Sequence, residues 1–170
     1  MREGLQEDLD ELCGGLQDEG RVAAHAVAEA TRALVDWSAE SFEATVVAEA
    51  EVQAIYRQTE QRVETILARQ APVASDLRLV LAALHINRSV ERATHNAARV
   101  AHLATPPPRR ALVEEAVITD ALRAMGERGA EMIRTAFDAF ERRDANATRL
   151  LTTLDELVDR ENQKIADTIL

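Results

Sequence analysis

Aromatic residues make up only 3% of this 170-residue chain, and it holds just 4 prolines and 6 glycines. A core without aromatic bulk has to be filled by aliphatic and alanine side chains, which requires closely spaced helices. So few breakers exclude a loop-rich or many-stranded fold. One cysteine, Cys13, excludes an internal disulfide, and a free thiol fits a reducing compartment. Its acidic surroundings disfavour a reactive thiolate. Basic residues are also in deficit, with 20 Lys and Arg against 30 Asp and Glu and a formal net charge of −10. Such a surface repels polyanions, so no nucleic-acid partner is expected. Long apolar runs are missing too. The longest, Leu79 to Leu84, falls far short of the ~20 residues a spanning helix needs, and no charged-then-apolar leader opens the chain. The expectation is a soluble, cytoplasmic protein with no direct membrane insertion.

What remains is a chain rich in Ala, Leu, Val, Glu and Arg, 46% hydrophobic, which is the composition of long helices. Pro72 and the run Pro106-Pro107-Pro108 are hard breaks, while Ser38 and Asp144 are helix-capping types that each precede a helical pattern. These marks predict five helices over 2–36, 39–70, 75–104, 110–142 and 145–168. In the third, Leu79, Ala83, Ile86, Val90, Ala93, Ala97, Val100 and Ala104 step by fours and threes, the signature of a bundle seam. The second carries the same stepping through Phe42, Thr45, Glu49, Val52, Tyr56, Thr59, Val63 and Ile66, which sets Glu49 on the buried stripe.

A shift of 106 residues lays Leu16 on Leu122, Gly20 on Gly126, Ala24 on Ala130, Val27 on Ile133, Ala33 on Ala139, Val52 on Val158 and Glu49 on Asp155. The breaks agree, since Ser38 to Glu49 and Asp144 to Asp155 both span eleven residues. The expected fold is all-α: tandem three-helix bundles of long antiparallel helices, with residues 1–105 forming the first and 109–170 a second of only two helices. The counterpart of Ser75 would fall at position 181, past Leu170, so the hairpin's open apolar face is expected to pack on the first bundle or on a second copy.

Several side chains could carry chemistry. Glu49 and Gln53, and likewise Asp155 and Asp159, are four apart and share a helical face. Arg88, Glu91, His95 and His102 form a stripe beside the third-helix seam. Carboxylate and imidazole groups converging between helices hold divalent or iron-type metals in such folds. The competing reading pairs Glu49 with Arg88 or Arg92 and leaves the stripe as a solvated edge. His95 is the best candidate ligand, His25 and His85 read as surface or core-edge residues, and Asp76 beside Arg78 reads as a cap with a local charge pair. No histidine follows an acidic residue by three, and there is no phosphate-cradling glycine loop, G-x-S-x-G or Cys/His zinc spacing, so an enzyme is not expected.

At Gln70-Ala71-Pro72-Val73-Ala74-Ser75-Asp76-Leu77-Arg78, followed by Ser89-Val90-Glu91-Arg92, the chain resembles the PhoU family. That family combines a Q-P-x-A-x-D-L-R type joint with an E-R-x-x-D signature inside two tandem three-helix bundles. The resemblance implies a regulator of phosphate uptake that couples a phosphate ABC transporter to a sensor histidine kinase and represses the phosphate-starvation response, often as a homodimer. It also implies metal, zinc or iron, held by E/D-x-x-x-D pairs. On this chain those pairs place Glu49 and Glu91 in the first bundle and Asp155 and Asp159 in the second, with Asp76, Arg78 and Arg92 as motif residues. Two positions depart from the pattern, Gln53 after Glu49 and His95 after Glu91, and both remove negative charge from the first site. His95 can still ligate zinc or iron, whereas Gln53 is a poor ligand. The rival reading is a metal-handling helical bundle with no phosphate-signalling role.

Overall fold

In the computed structural model, which describes residues 3–104 and 116–169, the chain forms five helices. They are α1 (Glu3–Val35), α2 (Ala39–Gln70), α3 (Ala74–His102), α4 (Ala116–Arg142) and α5 (Ala147–Ile169). The predicted start of the fourth helix at residue 110, the proline break and the boundary between 105 and 109 lie outside the described residues. Ser38 is the predicted cap, its hydroxyl accepting from the Ser41 amide at 3.1 Å. Asp144 works one turn differently: its carboxylate accepts the Asn146 amide at 2.9 Å in a turn that leads into α5. Asp76 is not a cap. It sits in the first turn of α3, where its charge favours the helix dipole, and Val73 occupies the cap position without a side-chain bond.

Helix α1 is the hub, packing against α2, α3 and α4; α2 also packs on α3, and α5 on α4. Its inward line runs through Leu5, Leu9, Leu12, Leu16, Glu19, Ala23, Ala26, Ala30 and Ala33, all buried, in alternating steps of four and three. The first half is a leucine stack that meets Val52, Val63, Ile66, Val80 and Val90. The second half is alanine, meeting Ala48, Ala97 and Ala101. The aromatic-poor composition thus appears as a bundle that narrows toward one end.

On α3 the buried line is Val80, Ala83, Asn87, Val90, Thr94, Ala97 and Ala101, continued just past the helix end by Ala104, and it shares only alternate rungs with the predicted seam. The other rungs, Ile86, Ala93 and Val100, line clefts facing Ile133, Phe137, Leu122, Met125 and Val158 of α4 and α5. The apolar residues of α3 therefore serve two surfaces, and polar Asn87 and Thr94 disguise the inward one. Thr94 and Thr45 are accommodated because each hydroxyl donates to the carbonyl four residues earlier, at 3.0 and 2.8 Å.

The repeat becomes a local two-fold at the crossing of α1 and α4. A Cβ on Gly20 would overlap the Phe137 ring, and a Cβ on Gly126 would overlap Thr31. Adding 106 to 20 gives 126, and adding 106 to 31 gives 137, so the two contacts are images of one another with the helices exchanged. The pairs Gln17 with Phe137, Val27 with Gly129, Thr31 with Gly126 and Asp36 with Arg123 descend along α4 as they climb α1, so the helices are antiparallel. The joints repeat as well. Trp37 and Arg143, again 106 apart, both end their helices at positive φ, 53° and 54°.

Gly20→Ala and Gly126→Ala are each expected to cost about 1–3 kcal/mol through overpacking, although alanine is the better helix former by roughly 0.5–1 kcal/mol. Gly14→Ala, where a Cβ would meet nothing within 4 Å, should stabilise the chain. Urea unfolding followed by circular dichroism measures both. A Gly20→Ala chain at least as stable as the parent would show that α1 and α4 do not approach this closely.

Candidate functional site

Helices α2 and α3 run antiparallel, and two contacts fix their register. The Asn87 side-chain amide donates to the Tyr56 carbonyl at 3.1 Å, and about two turns further along His95 Nδ1 lies 2.9 Å from Glu49 Oε1. Glu49 is mostly covered, with 20% of its side chain exposed, and His95 is open to solvent. This register explains why His95 is the partner of Glu49 rather than Arg88 or Arg92, which lie nearer the other end of α3 and are exposed. Of the candidate ligands, Glu49 and His95 are thus brought together, while Gln53 points to solvent.

Glu91 is half-buried one turn from His95 and acts across the bundle on α1. Asp155 and Asp159 are exposed on α5, as are Arg78 and Arg92 on α3. Among the described residues, no three His, Cys, Asp or Glu side chains form a group able to hold a metal ion. The donors gathered between α2 and α3 are one carboxylate and one imidazole, a pair that suits zinc or iron but leaves further positions to other ligands. His25, read from sequence as a surface or core-edge residue, lies 3.7 Å from Glu29, which also pairs with Arg32; the four-residue spacing to Glu29 carries that contact.

The residue that sequence reasoning missed is Glu19. It occupies a seam position of α1, is fully buried, and neither carboxylate oxygen has a hydrogen-bond partner. Burial, and after it the charge of Glu91, pushes its carboxyl up to about 8 from an ordinary 4.5. Asn87 is also fully buried, with its carbonyl oxygen unpartnered. Tracing the four-and-three stepping from Leu5 along α1 places a carboxylate in the core, and that was the available signal.

A family model described as the PhoU domain matches residues 16–104, from the middle of α1 to the end of α3. The chain is 28% identical over 159 residues to a phosphate-specific transport system accessory protein PhoU homolog of Pseudomonas putida, covering 91% of this chain and 59% of that protein. A homolog of the same description from Pseudomonas aeruginosa is 28% identical over 157 residues, covering 91% and 63% respectively. Another, from Synechocystis sp., is 28% identical over 125 residues, covering 71% and 53%. The chain thus spans a little over half to three fifths of the length of these relatives.

The burial of Glu19 has a consequence for pH. A carboxyl with a raised pKa keeps its proton in the folded chain while the unfolded chain releases it. Its contribution to stability is therefore full below 4.5 and is lost as pH rises toward about 8. Unfolding by urea in the presence of a chelator, compared at about pH 5 and about pH 8.5, is expected to show a decline that Glu19→Gln flattens. An equal decline in the variant would assign it to other groups.

Proposed function

The chain belongs to the PhoU family, and on that premise we propose that it regulates phosphate uptake, coupling a phosphate ABC transporter to a sensor histidine kinase and repressing the phosphate-starvation response when phosphate is plentiful. The observation that carries this reading is the family match running through α1, α2 and α3, joined by relatives named as accessory proteins of phosphate-specific transport. An accessory protein acts through surfaces, and this one offers long acidic helical faces to protein partners. No described helix is long and apolar enough to cross a membrane, so contact with a transporter would be made by docking. Action as a homodimer is part of the same proposal.

The metal proposed with this function would be zinc or iron, held at the Glu49 and His95 pair, with Glu91 on the first bundle and Asp155 and Asp159 on α5 as the further acidic candidates. Such an ion would tie α2 to α3 at the Glu49 and His95 pair and supply positive charge to an acidic surface. The rival, metal handling without phosphate signalling, makes the same residues the whole function.

Deleting the gene is expected to raise expression from a phosphate-responsive promoter in high phosphate, and a plasmid copy should restore repression. Unchanged expression in the deletion strain would contradict the regulatory reading and favour the rival. In the same strain, a Glu49→Ala, His95→Ala chain that still represses would separate the metal from the signalling role.

A further inference from the structure

The helical faces that this chain offers to partners are not uniformly acidic. Helix α3 carries four arginines against Asp76 and Glu91, on a chain whose formal net charge is −10. Arg78, His85, Arg92 and Arg99 recur every seventh residue, a spacing that keeps them along one side of the helix, and all are exposed. Arg21, Arg32, Arg62, Arg123 and Arg128 each pair with a carboxylate, whereas among the described residues Arg78, Arg92 and Arg99 form no ion pair. A row of unpaired guanidinium groups on an acidic protein favours an acidic partner.

That row borders a groove. Helices α3 and α4 both pack on α1 and not on each other, which leaves a channel between them with α1 as its floor. Two clefts occupy the channel, of about 350 and 290 Å³, and they meet at Ala93. Along α3 the lining runs from His85 to Val100, about 22 Å of helix. Arg92 falls three residues after Ser89 and four before Asn96, both of which line the groove, and Arg99 falls three after Asn96. The two arginines therefore stand on the rim. The opposite wall is apolar, with Leu122, Met125, Ile133 and Phe137.

We propose that the groove between α3 and α4 docks an amphipathic helix of a protein partner, its apolar face on the groove and acidic residues along the flank that meets Arg92 and Arg99. A second copy of the chain fits poorly. Two copies meeting through this face about a two-fold bring the arginine rows together, and a copy offering a different face makes a contact that does not close. An anionic membrane fits poorly as well, because Ile86 and Ala93 are half-buried inside the groove and the chain as a whole is acidic. The proposal deepens the regulatory reading and rests on it for the existence of a partner. The two fail separately, since docking is read from binding of a synthetic helix and regulation from promoter activity.

The test is fluorescence anisotropy of the full chain with two stapled helices of about 16 residues that share one leucine face, one flanked by glutamates and the other by lysines. The glutamate-flanked helix is expected to bind at least about tenfold more tightly, and the advantage should shrink as salt rises. Arg92→Glu with Arg99→Glu, both exposed and so compatible with folding, should remove that advantage. The same charge change on α2, Arg57→Glu with Arg69→Glu, should leave it in place. Ala93→Phe, which fills the point where the clefts meet, should weaken binding with every charge intact. Equal binding of the two helices, no binding of either, or binding that survives the α3 substitutions would overturn the proposal. So would loss, in the Arg92→Glu, Arg99→Glu chain, of self-association seen by sedimentation or of binding to phosphatidylglycerol vesicles, which would assign the face to a second copy or to a membrane.

Discussion

Everything in this molecule depends on α1 being covered on several sides at once. One face supplies the inward line of the first bundle, and an adjacent one receives α4 at Gly20. A helix loaded this heavily has to be thin where neighbours close in, and the sequence meets that demand with alanine through its second half and glycine at the crossing. The aromatic scarcity belongs to the same constraint, for Phe137 fits only because Gly20 has no side chain to oppose it. Glycine inside a helix costs conformational entropy, and here close approach offsets the cost.

The two-fold at that crossing gives the repeat physical content. Gly20 and Gly126 match because each has to admit the residue eleven positions beyond its counterpart in the other helix, Phe137 in one case and Thr31 in the other. The bidentate pair of Arg123 with Asp36, at 2.8 and 3.3 Å, adds an electrostatic tie at one end. It also holds the Asp36 carboxyl below its usual range. An exposed pair of this kind contributes little energy and mainly fixes register.

Much of the fold was legible because helix signals are local. Ser38, Pro72 and Asp144 mark joints through their own backbone chemistry, and the family resemblance rested on residues at one of those joints. The repeat was legible because Gly20 and Gly126 are rare residues at a shared offset. The site was less so. Reading α3 as one apolar stripe hid that Asn87 and Thr94 line the core while Ile86 and Val100 face α4 and α5. The contact of Glu49 with His95 depends on the register of two helices, which no local pattern fixes. Glu19 was within reach of periodicity, but its lack of partners is a property of three helices together.

The polar chemistry of the first bundle therefore divides between a half-exposed pair, Glu49 with His95, and a buried layer around Glu19 beside the α1 and α4 crossing. The central claim is that the crossing of α1 and α4, with Gly20 against Phe137 and Gly126 against Thr31, holds the second hairpin on the first bundle. A crystal structure of the chain tests it most directly. Helices α1 and α4 antiparallel, with both glycines at contact, are the predicted result. A hairpin of α4 and α5 packed elsewhere would contradict it.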